Sequence, residues 1–227
     1  MTSVQISCPT PSGQPFGIPS TTMAANGTIL VGKDVVKQVV VLVLVGDTTM
    51  LGDPSPNGAQ PATIVGQTWC IDNVTVPLAG SGGSTTDTMY AFGLDALGHQ
   101  IGDPDKVAFP FQSTGTRFCP GCSGGSGTGE LTQRGTLVAA IGGASVLEVT
   151  VSDGPVAGIH QVPRRGPLTW EANIAGKSIR LRPLPNHTLL LEVDTTTEVA
   201  IPRFEPFSAV FSGSLFGASR SVVVTLA

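Results

Sequence analysis

Charge is scarce in this sequence. Asp, Glu, Lys and Arg make up 12 % of its 227 residues, and the net charge is −4. That balance leaves no basic footprint for nucleic acid. Aromatic residues are few as well, at 5 %, with one Tyr and two Trp. No apolar run approaches the ~20 residues of a membrane-spanning helix. The longest, Val39 to Val45, has the length of a strand. Neither half shows a helical period. The opening Met-Thr-Ser-Val-Gln-Ile-Ser-Cys lacks the charged and apolar regions of a signal peptide, so none is read in the chain. There is no Gly-x-Ser-x-Gly elbow and no phosphate-binding loop, and His99, His160 and His187 stand apart from any hydrolase or metal spacing. The expectation is a protein that is not an enzyme and takes no cofactor.

What the chain does have is apolar residues, 41 %, with 29 Gly and 18 Pro and a mean hydropathy of +0.25. Disorder needs low hydrophobicity or high net charge, so this composition reads as folded β structure. Short apolar runs separated by turn residues read as strands at Val4–Cys8, Thr21–Val31, Val35–Val45, Ile64–Leu78 (one strand or two), Thr88–Leu94 and Lys106–Phe111. Gly52 to Pro61 and Gly80 to Ser84 read as loops. From Ser113 to Gly129 the composition becomes that of a flexible linker. A second series follows at Leu137–Ile141, Val146–Val151, Leu168–Ile174, Ser178–Leu181, Leu189–Val193, Ala209–Phe211 and Val222–Leu226. Residues 1–112 carry no Glu and a net charge of −5, whereas residues 113–227 carry +1. This mild asymmetry suits head-to-tail contacts or two separately solvated surfaces.

Gly66 to Gly102 is the most informative stretch. Trp69 opens one β-rich run, and the next closes in the corner Asp95-Ala96-Leu97-Gly98. Over about Val4 to Phe111 this order resembles bacterial immunoglobulin-like domains. The second half loosely resembles β domains of uncharacterised bacterial surface proteins, through Pro206-Phe207 near a terminal Val-Val-Val-Thr strand. The expected fold is all-β, with two β-sandwich-like domains, the first immunoglobulin-like. Residues 1–112 form the first, 113–129 the linker with its Cys-x-x-Cys, and 130–227 the second.

Cys119-Pro120-Gly121-Cys122 admits several readings. It can be a redox pair, half of a zinc site with Cys8 and Cys70, a local clip, or a source of disulfides to Cys8 and Cys70. Four cysteines allow three connectivities, and spacing does not choose among them. A structural role is favoured, because the motif sits among glycines in a β chain. Asp103-Pro104-Asp105 with Asp95 offers oxygens for calcium, but that ion takes six to eight of them, and two loop aspartates are commonly a solvated turn. No metal site is assigned. Arg180 and Arg182 alternate along one strand and share a face. With Arg164 and Arg165 they suit an anionic polysaccharide or an acidic neighbour, or simply a solvated face. Trp69 and Trp170 read as core residues, or else as a sugar platform. Asn26, Asn73 and Asn186 match the glycosylation sequon.

Two strands are apolar on both faces. Val39, Val41, Val43 and Val45 alternate with Val40, Leu42 and Leu44, and Met89, Ala91 and Gly93 alternate with Tyr90, Phe92 and Leu94. The immunoglobulin-like resemblance puts the small set inward. Tyr90, Phe92, Leu94, Val40, Leu42 and Leu44 then form an outer face, covered by the second domain or a neighbouring subunit. The alternative is a strand out of register whose large residues turn inward. The functional expectation is a structural or adhesive subunit of an extracellular assembly: a cell-surface layer, filament or virion. Its partners are copies of itself or a neighbouring structural protein, with no nucleic acid and no membrane span. A carbohydrate-binding module using Trp170 and the Arg180/Arg182 face is the alternative.

Overall fold

In a computed structural model the chain divides into two compact units, Met1–Thr132 and Gln133–Ala227. The structure describes residues 1–11, 15–17, 22–32, 34–44, 58–76, 85–112, 118–122, 136–185 and 187–227. The expected loops at 52–57 and 80–84, Val45, Asn186 and most of the stretch 113–129 lie outside the described residues.

The first unit holds eight strands: β1 (Val4–Cys8), β2 (Phe16–Gly17), β3 (Thr22–Ile29), β4 (Gln38–Leu44), β5 (Gln60–Val65), β6 (Thr68–Thr75), β7 (Thr85–Leu94) and β8 (Asp105–Gln112). Their order is β1-β3-β6-β5-β4-β7-β8-β2. The stretch read as one strand or two is two, β5 and β6, parted by the positive-φ Gly66. β5 turns the corner between layers. Its first half pairs with β4 through Ala62 and Val39, and its second half pairs with β6 through Ile64 and Trp69. β2 runs parallel to β8, so the N-terminal segment contributes one strand to each layer. The result is a β-sandwich-like unit, a fold compatible with an immunoglobulin-like domain. Alternation makes the core: Met23, Ala25 and Ile29 of β3, with Trp69 and Ile71 of β6, meet Val39, Val41 and Val43 of β4 and Met89 and Ala91 of β7.

Trp69 fixes the packing of the first layer. It lies opposite Gly27 of β3, which in turn lies opposite Ile6 of β1. The indole crosses the glycine, and its N–H donates to the Gln5 carbonyl at 3.2 Å. A Cβ on Gly27 would strike both that carbonyl and the ring. A buried indole N–H needs an acceptor, and the missing side chain gives it a path to one.

The second unit opens with a correction. Leu137–Ile141, expected as a strand, is the helix α1. Thr136 caps it by accepting the Ala139 N–H at 3.1 Å, and Leu137 and Ile141, four residues apart, face the core. One and a half turns are too short to display a period in sequence. Nine strands follow: β9 (Val146–Val151), β10 (Gly158–Gly166), β11 (Thr169–Ile174), β12 (Lys177–Leu184), β13 (Thr188–Val193), β14 (Thr196–Ala200), β15 (Arg203–Phe204), β16 (Phe207–Phe211) and β17 (Val222–Leu226). They form one antiparallel sheet ordered β14-β13-β12-β11-β10-β9-β17-β16-β15. The sheet curls until its ends meet. Glu198 of β14 accepts hydrogen bonds from the Ser212 N–H and hydroxyl at 3.1 and 2.9 Å, and from the Ser214 hydroxyl at 3.1 Å, just beyond β16. Leu147, Val149, Trp170, Leu181, Leu191, Ala209 and Val224 fill the interior. Trp170 repeats the first unit's device, donating its indole N–H to the Ala144 carbonyl at 3.2 Å.

Gly27→Ala should destabilise the first unit by about 1–3 kcal/mol, the usual cost of overpacking. Gly32→Ala, where a Cβ meets nothing within 4 Å, should change little. Urea unfolding followed by tryptophan fluorescence checks both, and equal midpoints for the two variants would refute the packing argument.

Candidate functional site

The cysteines form the most developed site in the molecule. Cys8 pairs with Cys119 and Cys70 with Cys122, at Cα separations of 5.6 and 5.4 Å. The two cysteines of the motif therefore bond away from each other, which rules out the local clip and occupies all four sulfurs. The register explains the arrangement. Cys8 of β1 lies opposite Asn26 of β3, and Asn26 lies opposite Cys70 of β6. Asn26 stands between the buried Ala25 and Gly27, and Cys70 between the buried Trp69 and Ile71, so this row points away from the core. Plain alternation would turn Cys8 inward with Val4 and Ile6. A bulge between Ile6 and Cys8 turns it outward instead.

Residues 119–122 cross this row as a strap. Two inter-strand gaps measure about 9.6 Å, and three extended residues span about 10 Å, so a Cys-x-x-Cys reaches from β1 to β6. Each inner residue has a task. The Pro120 carbonyl accepts from the Asn26 amide at 3.0 Å. The Cys122 N–H donates to Asp72 Oδ1 of β6 at 2.6 Å, and a side chain on Gly121 would collide with that same oxygen. Residues 119–122, inside the stretch expected as a linker, are thus bonded to strands of the first unit. By loop closure, sequence separations of 111 and 52 residues give each bridge, taken alone, on the order of 4 kcal/mol.

The aspartates proposed for calcium serve separate structural purposes. Asp95 Oδ1 accepts the Leu97 and His99 N–H groups at 2.8 and 2.9 Å, and its Oδ2 lies 3.2 Å from His99 Nδ1. This is the corner that ends β7. Asp105 accepts the Ile6 N–H of β1 at 2.7 Å, and Asp103 takes the Met1 amino group at 2.8 Å. Among the described residues, no group of three or more His, Cys, Asp or Glu is placed to hold a metal ion. His160 Nε2 lies 2.8 Å from the Val156 carbonyl. His187 stacks on Phe204, and burial holds its pKa below the ordinary histidine value.

The arginines do not share one face. Arg164 lies opposite Trp170 in register, sits over its ring at 5.6 Å, and donates to the Gly142 and Gly166 carbonyls. Arg180 and Arg182 lie on the other face of the sheet, since Leu181 between them pairs with Trp170. Arg180 stands between Glu171 of β11 and Glu192 of β13, at 2.7 and 3.3 Å. That ladder is acidic in sum. Arg182 is half-buried opposite Leu190, and Arg165 is exposed at a bulge in β10. Trp170 is 0 % exposed and offers no ring face to a sugar.

No family model, curated protein or solved structure matches this chain. The apolar row therefore has to be read from its own geometry. Phe92 lies opposite Val40 and Tyr90 opposite Leu42, with the Tyr90 and Phe92 rings stacked at 6.4 Å. The strands are in register, so the large residues do not turn into the sandwich core, which holds the other row. Even so, Tyr90 is 1 % and Phe92 0 % exposed, and Val40, Leu42, Leu44 and Leu94 are buried too.

The Asp95 corner predicts a pH dependence. Partial burial alone would raise its pKa, but the His99 and Leu97 N–H groups and the nearby His99 charge outweigh this and hold it below the ordinary 3.8. A carboxyl lowered by folding stabilises the fold above its unfolded value, and that stabilisation fades as pH falls through the folded value. Denaturant midpoints should therefore drop on acidification below about pH 4, and Asp95→Asn should flatten that acid limb. An unchanged slope in the variant would show that the corner contributes nothing.

Proposed function

We propose that this chain is a non-catalytic structural or adhesive subunit of an extracellular assembly, such as a cell-surface layer, filament or virion. The strap is the observation that carries this reading. Disulfides of this kind persist in oxidising compartments, and two of them are invested in one sandwich. Their placement also has a mechanical consequence. A pull applied along the chain across the first unit enters β1 and leaves through the segment after β8. The Cys8–Cys119 bond joins those two points, so the intervening chain, a sequence separation of 111, is removed from the path of the force. A subunit that transmits load between neighbours benefits from that bypass. The first unit is a β-rich fold compatible with the bacterial immunoglobulin-like resemblance. Fold alone does not assign the partner.

Two measurements test the proposal. Pulled between its ends in an optical trap, the oxidised first unit should keep roughly 400 Å of chain hidden, released only after reductant is added. Release of that length without reductant would remove the mechanical argument. Sedimentation velocity over a wide concentration range should show self-association, or association with a structural neighbour purified from the same source. A strictly monomeric chain that instead binds an acidic polysaccharide on a glycan array would replace the proposal with the carbohydrate-binding alternative.

A further inference from the structure

The sequence Cys119-Pro120-Gly121-Cys122 is fitted to two geometries, and the structure shows one of them. As a strap it has its cysteines bonded to strands two positions apart in the sheet. Yet Pro followed by Gly is the favoured central pair of a type II turn. Such a turn brings its first and fourth Cα atoms within 7 Å and needs a positive φ at the glycine. A disulfide spans Cα separations of about 4.4–6.8 Å, so in that turn Cys119 and Cys122 can bond to each other. Gly121 does not have a positive φ in the strap. Its lack of a side chain is already used there to admit the Asp72 carboxylate, and the same lack leaves the turn open to it.

We propose that the strap is a redox-released fastening that opens by internal disulfide exchange. The order of events follows from burial. Cys119 is 9 % exposed, whereas Cys8, Cys70 and Cys122 are half-buried, so an external dithiol can reach either sulfur of the Cys70–Cys122 bond but only the Cys8 sulfur of the other, and the Cys70–Cys122 bond is the one opened first. That exchange oxidises the dithiol to its disulfide and leaves Cys70 and Cys122 as thiols. The hydrogen bonds from the Asn26 amide to Pro120 and from the Cys122 N–H to Asp72 then remain with the Cys8–Cys119 bond to hold the strap, and the turn has to break the second of them. The strap folds into its turn, and the Cys122 thiolate attacks Cys119 Sγ. A Cys119–Cys122 bond forms, the Cys8–Cys119 bond breaks, and Cys8 departs as a thiolate that takes up a proton. One external reduction thereby frees both β1 and β6, because the attacking sulfur of Cys122 and the attacked sulfur of Cys119 are carried by the same four residues. The strand β1 keeps its pairing to β3 and the Asp105 carboxylate at Ile6, but it loses its covalent tie to the chain beyond β8. This fastening stands independently of whether the chain assembles.

The experiment is limited reduction of the full chain with less than one equivalent of dithiothreitol. The product is quenched in acid, alkylated and mapped by peptide mass spectrometry. The expected one-disulfide species carries a Cys119–Cys122 bond with Cys8 and Cys70 alkylated. A one-disulfide species that keeps Cys8–Cys119 or Cys70–Cys122, or a passage straight to four alkylated cysteines, overturns the proposal. Cys70→Ser imitates the first step without reductant. Its expected form has Cys119 bonded to Cys122 and one free thiol at Cys8, whereas a free thiol at Cys122 overturns the exchange. If that variant does not fold, the wild-type map decides alone.

Discussion

Between Ile6 and Cys8 the strand β1 carries one residue more than its partner β3, and much of the first unit depends on that bulge. Before it, Val4 and Ile6 face the core. After it, Cys8 faces outward beside Asn26 and Cys70. Without the extra residue Cys8 would point into the sandwich, and residues 119–122 would have no anchor on the edge strand. With it, one short segment crosses three strands and is held at each of them: a disulfide on β1, an amide on β3, and a disulfide and a carboxylate on β6. A bulge weakens a ladder locally. Here it costs little, because the covalent bond is placed at the next residue.

Scarce charge is spent on single backbone donors and closures. Asp105 satisfies Ile6, Asp72 satisfies Cys122, Asp95 satisfies Leu97 and His99, and Asp153 holds the N–H and hydroxyl of Ser219 before β17. Each is a polar group placed where the sheet ladders leave a backbone donor over. The donors of Ile6, His99 and Cys122 are partly withdrawn from water, where an N–H needs an acceptor. The two indoles follow the same rule with backbone carbonyls at Gln5 and Ala144.

Much of this was legible in the sequence, and the exceptions have physical causes. Val39 to Val45 and Met89 to Leu94 declared both faces apolar, and register now shows both rows of these strands buried over their described length. The Asp95 corner was visible as a motif, and its carboxylate hydrogen bonds supply the reason. The bulge was not visible, because Ser7 carries no mark that distinguishes an extra residue from a paired one. Without it the cysteine row cannot be deduced, and three connectivities stay equivalent. β10 was missed because Pro163, Arg164 and Arg165 interrupt its apolar pattern. Its proline pairs at the far end of the ladder, opposite Val146, where a missing N–H does least harm. Arg164 and Arg180 looked like neighbours because sequence shows residue type but not which face of a curled sheet each one takes.

The two units meet the same hazard by different means. A sheet that ends in an open edge offers unpaired backbone groups to any other strand. In the first unit the edge strand β1 has its Ile6 N–H taken by Asp105 and its end tied by the strap. In the second, β14 is drawn to the far end of the sheet by Glu198, a carboxylate 7 % exposed that gathers two serine hydroxyls and one N–H. One closure is covalent and answers to reductant; the other is polar and does not. Closures at both edges argue against growth by strand addition at β1 or β14.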